Sequence, residues 1–317
     1  MNPGAIGALP LDDGRPASRE NLAVSAGWRP AAVLVIGLLS SACSSHVETS
    51  PTPSGAAPTT TASASPTAQP TAEPAPTAGP FADSLVAGLT TGTDVAYTRA
   101  LPCGAGECEV PLDVLAPEAG EALPTIVLLP GGPAGLVERR YLATLAAAVA
   151  QRGAVVFLAG YRSEVTGDSM DESLLDVRCA IRFARSTTGD YGGDPDRLVL
   201  VGHSYGSLLA LQTAPDGEAE TPGCLADDNG IPDAVVGMAG FGFVLPDTID
   251  AQPPILLISG SQDDAAAGGE GAAQRLRDAG FEAEYVELEG IDHFEIVSPT
   301  IAPSVLDLIF DAIPPAS

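Results

Sequence analysis

From residue 124 to residue 313, short apolar runs alternate with segments of helical spacing. Residues 124–132, PTIVLLPGG, form a continuous apolar run closed by glycine, the pattern of a strand buried on both faces. Residues 137–153 repeat Tyr141, Leu145 and Val149 at helical spacing and stop at Gly153. A second apolar run fills 154–162, and a second helix, 171–189, sets Leu174, Val177, Ile181 and Ala184 on one face. Residues 196–214, DRLVLVGHSYGSLLALQTA, read as a strand, an abrupt turn and a helix. Strands at 233–240, 253–264 and 282–290, a helix through 272–279 and the segment 304–313 complete the series. This rhythm predicts an α/β domain whose mostly parallel sheet carries helices on both faces. Two earlier extended segments, 95–101 and 107–115, predict an antiparallel edge. The alternation has no longer repeat, so residues 81–317 are expected to form one globular domain.

The first 80 residues follow another logic. Arg15, Arg19 and Arg29 precede an uncharged apolar run, 31–39, which meets Ser40-Ser41-Ala42-Cys43. That is a basic region, an apolar region and a small-residue cleavage site, so residues 1–42 are expected to be a signal peptide. The run is about half the ~20 residues that span a bilayer, which argues against a permanent transmembrane helix. The cysteine after Ala42 resembles a bacterial lipobox, which makes Cys43 the expected site of lipidation. Residues 43–80 are rich in Pro, Thr, Ser and Ala, with Glu48 and Glu73 almost the only charges. Such a composition cannot bury a core and predicts a disordered stalk, up to roughly 100 Å long at about 3.1 Å per residue. The expected location is the extracellular face of a bacterial cell membrane, with plain secretion as the alternative.

The net charge is −27, and all fourteen basic residues are arginine. This argues against nucleic acid as a partner and equally against a bare electrostatic grip on anionic lipid, which leaves a lipid anchor as the only expected tie to membrane. Four cysteines remain after Cys43, an even number that suggests two disulfides with three possible pairings. Cys103 and Cys108 flank a Gly-Ala-Gly-Glu turn and pair most easily with each other, leaving Cys179 for Cys224. Metal binding fits poorly, because the spacing is wrong and His46, His203 and His293 are the only histidines. Neither metal nor other cofactor is expected.

The turn Gly202-His203-Ser204-Tyr205-Gly206 has the form G-x-S-x-G and lies where a buried strand meets a helix. A tight turn alone would need the glycines but not the serine at its apex. Serine needs a neighbouring base oriented by a carboxylate before it becomes a nucleophile. His46 lies in the stalk, and His203 is adjacent to Ser204, where side chains at an elbow point apart. His293 remains, just past the last strand, at the end of the sheet where α/β folds place their sites. The acid is expected between serine and histidine: Asp263 first, then Asp264 beside it, then Asp247 or Asp250. An oxyanion hole needs two backbone N–H groups. Tyr205 offers one, and Gly131 or Gly132 in LPGGPAG the other, because Pro133 has none. A phosphate-cradling loop is the weaker reading of those glycines, since no G-K-[ST] follows and the chain has no lysine.

With PGGPAG, YR at 161–162, YGGDPDRLVLVGHSYGS, GSQDD and DHF in this order, the chain from about residue 93 to 313 resembles an α/β-hydrolase of the carboxylesterase/lipase kind. It departs from many such esterases in placing Pro130 before the two glycines where they have histidine. The resemblance implies an α/β-hydrolase fold and cleavage of a small-molecule or lipid-like carboxylic ester. A thioester, an amide or a peptide is the alternative substrate on the same residues. A non-catalytic surface-binding protein of the same fold is the rival from another class. About a dozen residues separate the strands at 233–240 and 253–264, which leaves little or no lid there.

Overall fold

The computed structural model describes residues 81–132, 135–216 and 221–316. The expected signal peptide, Cys43 and the stalk lie outside the described residues, as do Pro133 and Ala134. Among the described residues there are ten strands: β1 (Leu89–Ala96), β2 (Leu101–Cys103), β3 (Gly106–Cys108), β4 (Pro111–Pro117), β5 (Leu123–Leu129), β6 (Val155–Ala159), β7 (Gly193–His203), β8 (Ala234–Met238), β9 (Ile255–Gly260) and β10 (Ala283–Leu288). Six α-helices accompany them: α1 (Gly135–Glu138), α2 (Ala143–Gln151), α3 (Met170–Thr187), α4 (Tyr205–Thr213), α5 (Gly269–Asp278) and α6 (Ser304–Asp311). Among the described residues no helix is long and apolar enough to cross a membrane.

Eight strands form one sheet in the order β1-β4-β6-β5-β7-β8-β9-β10, antiparallel at β1–β4 and β4–β6 and parallel from β6 to β10. The strands of the middle are the most apolar in sequence because they are covered on both faces: β6 and β8 are buried throughout. At the rims the sequence changes character. β1 carries a bulge between Gly92 and Val95, and β10 exposes Glu284 and Glu287.

The antiparallel edge exists but is shifted from the segments expected of it. Its outer strand is the Thr- and Gly-rich Leu89–Ala96, whereas residues 101–108 leave the sheet as a separate hairpin, β2–β3, closed by the Cys103–Cys108 disulfide. The expected helix over 137–153 is also interrupted. Between α1 and α2 a 3₁₀ turn, Arg139–Leu142, is held to the sheet edge by an ion cluster. The Arg139 and Arg140 guanidinium groups both donate to Asp113 of β4 and to Asp94 of β1. Arg139 and Asp113 are fully buried. Burial works to raise the Asp113 pKa, but the hydrogen bonds from Arg140 and Arg139 outweigh it and hold the carboxyl below its ordinary range.

Cys179 of α3 is bonded to Cys224, whose backbone pairs with Thr98. This second disulfide therefore ties α3 to a long connection that also meets the N-terminal edge of the domain. It closes a loop of sequence separation 45, against 5 for Cys103–Cys108. On chain-entropy arithmetic the two contribute about 4 and about 2 kcal/mol. Replacing Cys179 and Cys224 with alanine should thus lower the denaturation midpoint more than replacing Cys103 and Cys108, as read by urea unfolding of each double variant.

Candidate active site

The site grows from the end of β7. The strand delivers Ser204 onto a turn with φ +54° and ψ −117°, a left-handed conformation that side chains other than glycine rarely adopt, and α4 starts at the next residue. The neighbouring glycines make this turn possible. A Cβ on Gly202 would lie 2.2 Å from the Gly206 carbonyl oxygen, and one on Gly206 would lie 2.4 Å from the Pro130 oxygen. The Ser204 N–H donates to the Met238 carbonyl at 2.7 Å, which pins the elbow to the end of β8.

The other two groups arrive from the ends of neighbouring strands. Asp263 follows β9, His293 follows β10, and both converge on Ser204. His293 Nδ1 lies 2.7 Å from Asp263 Oδ2, and His293 Nε2 lies 3.0 Å from Ser204 Oγ. A carboxylate only accepts, so Nδ1 carries the proton and Nε2 is left to accept from the serine hydroxyl. Asp263 is buried and its Oδ1 also accepts the Ala266 N–H at 3.2 Å. The structure brings Asp263 to the histidine, whereas Asp264, Asp247 and Asp250 are exposed.

Gly131 and Gly132 follow β5 and run beside the serine: a Cβ on Gly131 would lie 2.7 Å from Ser204 Cβ. Two tyrosines fix this loop. The Tyr161 hydroxyl lies within donating distance of the Pro130 and Gly132 carbonyls, at 2.7 and 3.0 Å. The Tyr141 hydroxyl accepts the Gly131 N–H at 2.5 Å. Of the two glycines considered as oxyanion donors, Gly131 thus directs its N–H at a side chain. The Tyr205 N–H stands at the first position of α4, where helix amides have no intrahelical acceptor.

His203 does point away from Ser204, as adjacent residues at an elbow must, but it is not idle. It is fully buried, with Nδ1 2.6 Å from the Tyr141 hydroxyl and Nε2 2.8 Å from the His293 carbonyl oxygen. A carbonyl accepts only, so Nε2 bears the proton and Nδ1 accepts from Tyr141. Burial pushes the His203 pKa down to about 4, with the hydrogen bond to the His293 backbone opposing. Tyr141 and His203 were missed as site residues because helical spacing casts the first as one position of an apolar face, and only the fold brings the second under His293.

On the open side Phe294, 68% exposed, sets its ring edge-on to His293 at 5.1 Å. Val244 in the short connection from β8 to β9 is 74% exposed. Among the described residues no group of three or more His, Cys, Asp or Glu side chains could hold a metal ion.

Several known esterases are similar to this chain in sequence or fold. The BD-FAE family model matches residues 112–230. Esterase LipQ of Mycobacterium tuberculosis is 32% identical over 125 residues, 38% of this chain and 29% of LipQ. A probable isoprenylcysteine alpha-carbonyl methylesterase of Oryza sativa is 31% identical over 87 residues, 27% of this chain and 21% of the rice protein. The chain therefore spans less than a third of the length of these curated relatives. Among solved structures, a truncated carbohydrate esterase from gut microbiota superposes with a TM-score of 0.55 at 20% identity, covering 70% of this chain and 96% of that one. Propionate-bound esterase Est2 of Thermogutta terrifontis gives 0.57 at 19% identity, over 73% and 98% of the two chains. Esterase B of Lactobacillus rhamnosis, inhibited by a tributyrin phosphonate, gives 0.58 at 17% identity, over 71% and 85%.

The His203 geometry gives a prediction. In nitrogen-detected NMR its ring should remain the neutral Nε2–H tautomer from pH 8 down to about pH 5 and take up a proton only near 4. The unfolded chain would protonate this residue near 6.5. Its contribution to stability is therefore complete above that pH and falls as the pH drops toward 4. The His203→Gln variant should lose less stability across that window. A His203 ring that titrates near 6.5 in the folded protein contradicts the burial described here. By its sheet, its strained serine turn and these matches, the chain has the α/β-hydrolase fold, and the proteins it is similar to within that fold are esterases.

Proposed function

We propose that this protein is a serine hydrolase of carboxylic esters that works through Ser204, His293 and Asp263. The observation that carries this reading is the unbroken run of hydrogen bonds from Ser204 Oγ through His293 to Asp263, built on a serine with left-handed backbone. Ser204 Oγ attacks the ester carbonyl while His293 Nε2 takes its proton. Asp263 holds the ring in the required tautomer and stabilises the imidazolium that forms. The Gly132 and Tyr205 N–H groups receive the negative charge on the carbonyl oxygen, Gly131 being engaged with Tyr141. The protonated His293 then delivers its proton to the departing alkoxide, and the acyl group remains on Ser204. Water, deprotonated by His293, attacks the acyl-enzyme and releases the acid.

The Ser204→Ala variant should lose about 10⁴-fold or more in turnover of p-nitrophenyl esters and all labelling by a fluorophosphonate probe, at unchanged melting temperature. Asp263→Asn keeps the shape but favours the wrong tautomer, and should also lose about 10⁴-fold. Asp264→Asn should cost less than about 1 kcal/mol of stability and little turnover. Retained labelling in Ser204→Ala, or the reverse ranking of the two aspartates, refutes the assignment.

Export and a lipid anchor on Cys43 complete the proposal. Their support is the N-terminal pattern together with two disulfides, which persist in oxidising compartments and are rare in the cytosol. Mass spectrometry of the native protein should find a diacylated or triacylated N-terminal Cys43, since one acyl chain alone binds membrane only marginally. An unlipidated mature N-terminus would instead favour secretion.

A further inference from the structure

We infer that Tyr141 and His203 are positioning residues that hold the oxyanion loop and the base-bearing loop in one frame. This inference rests on the esterase reading above. The connection is a single directed chain. The Gly131 N–H donates to the Tyr141 hydroxyl, that hydroxyl donates to His203 Nδ1, and His203 Nε2–H donates to the His293 carbonyl, at 2.5, 2.6 and 2.8 Å. Every donor and acceptor in it is fixed by its neighbour. The His293 carbonyl can only accept, so Nδ1 has a lone pair to offer and Tyr141 must give its proton there. The hydroxyl oxygen is then turned toward Gly131.

Two further sets of contacts hold this frame. The turn that carries Tyr141 is fastened by Arg139 and Arg140 to Asp113 and Asp94. The His203 ring, fully buried, packs against the His293 ring with centroids 5.0 Å apart, and Tyr141 meets the His203 ring edge-on at 5.8 Å. The loop that stabilises the oxyanion follows β5 and the loop that carries the base follows β10, with three strands between them in the sheet. Reaction needs both to within a fraction of an ångström of the same substrate carbon, and a misplacement of about 1 Å can cost about a hundredfold. The chain through Tyr141 and His203 crosses that gap directly. Although Tyr141 is 38% exposed, desolvation raises the pKa of its phenol, so the proton that the chain needs stays in place.

The test is a double-variant cycle. Tyr141→Phe removes only the hydroxyl, and His203→Leu removes the ring nitrogen that accepts from it, so both break the same link. Each should lower kcat for a p-nitrophenyl ester, and the rate of fluorophosphonate labelling, by about tenfold to a hundredfold. KM should change by less than about threefold and the melting temperature by a few degrees at most. Because one link is lost either way, the double variant should be no more than about twofold below the worse single. Wild-type kcat in Tyr141→Phe, a loss that appears in KM instead of kcat, or losses that multiply in the double variant would each overturn the inference. Its failure is distinct from that of the esterase reading: there the wild-type protein itself would neither hydrolyse esters nor react with the probe.

Discussion

Everything at the centre of this molecule is arranged around one uncomfortable backbone position. Ser204 sits at φ +54°, a conformation that costs a non-glycine residue of order 1–3 kcal/mol and persists only where its surroundings over-determine it. Here β7 enters the turn from the buried middle of the sheet, α4 leaves it at once, and the serine N–H is bonded to the end of β8. A turn this tight leaves no room for a Cβ on either flanking glycine. It also lifts the hydroxyl out of the sheet to where the ends of β9 and β10 can reach it, so aspartate, histidine and serine meet although they are far apart in sequence.

Around that turn, charge is used for placement. Each of the two tyrosines that touch the 130–132 loop lies within two residues of a buried arginine locked to a buried aspartate. Tyr161 precedes Arg162, which binds Asp176 at 2.8 Å, and Tyr141 follows Arg139 and Arg140 on Asp113. Burying ion pairs gains little net stability, because desolvation offsets most of the attraction. Their directionality is another matter. A guanidinium held by two or three oxygens fixes its backbone, and the adjoining tyrosine hydroxyl inherits that precision.

Much of this was legible in the chain. The parallel strands could be read because burial on both faces demands uninterrupted apolar runs, and the serine turn because its glycines are sterically required. The histidine followed from having few to choose among. The pair at 263 and 264 was harder, since spacing from Gly260 favours the first residue, while only the backbone after β9 decides which carboxyl faces His293. What could not be read was non-local. The break in the helix at Arg139–Leu142 depends on Asp94 and Asp113, whose sequence distance hides the partnership. Tyr141 is indistinguishable by periodicity from Leu145 and Val149, though it ends on a loop amide and they end in the core. The extended segments 95–101 and 107–115 were assigned to the edge, and the departure of the hairpin between them from the sheet is a matter of tertiary placement.

The rims of the sheet have their own consequence. Among the described residues the eight-stranded sheet ends in two edge strands, β1 and β10, whose outer backbone groups could template another chain. On one rim the bulge between Gly92 and Val95 breaks the regular spacing that an incoming strand would need. On the other, a second β10 laid antiparallel would bring the glutamates of the two copies close together, and like charges facing each other across strands repel. Among the described residues both rims therefore carry features that disfavour edge-to-edge assembly of one copy on another.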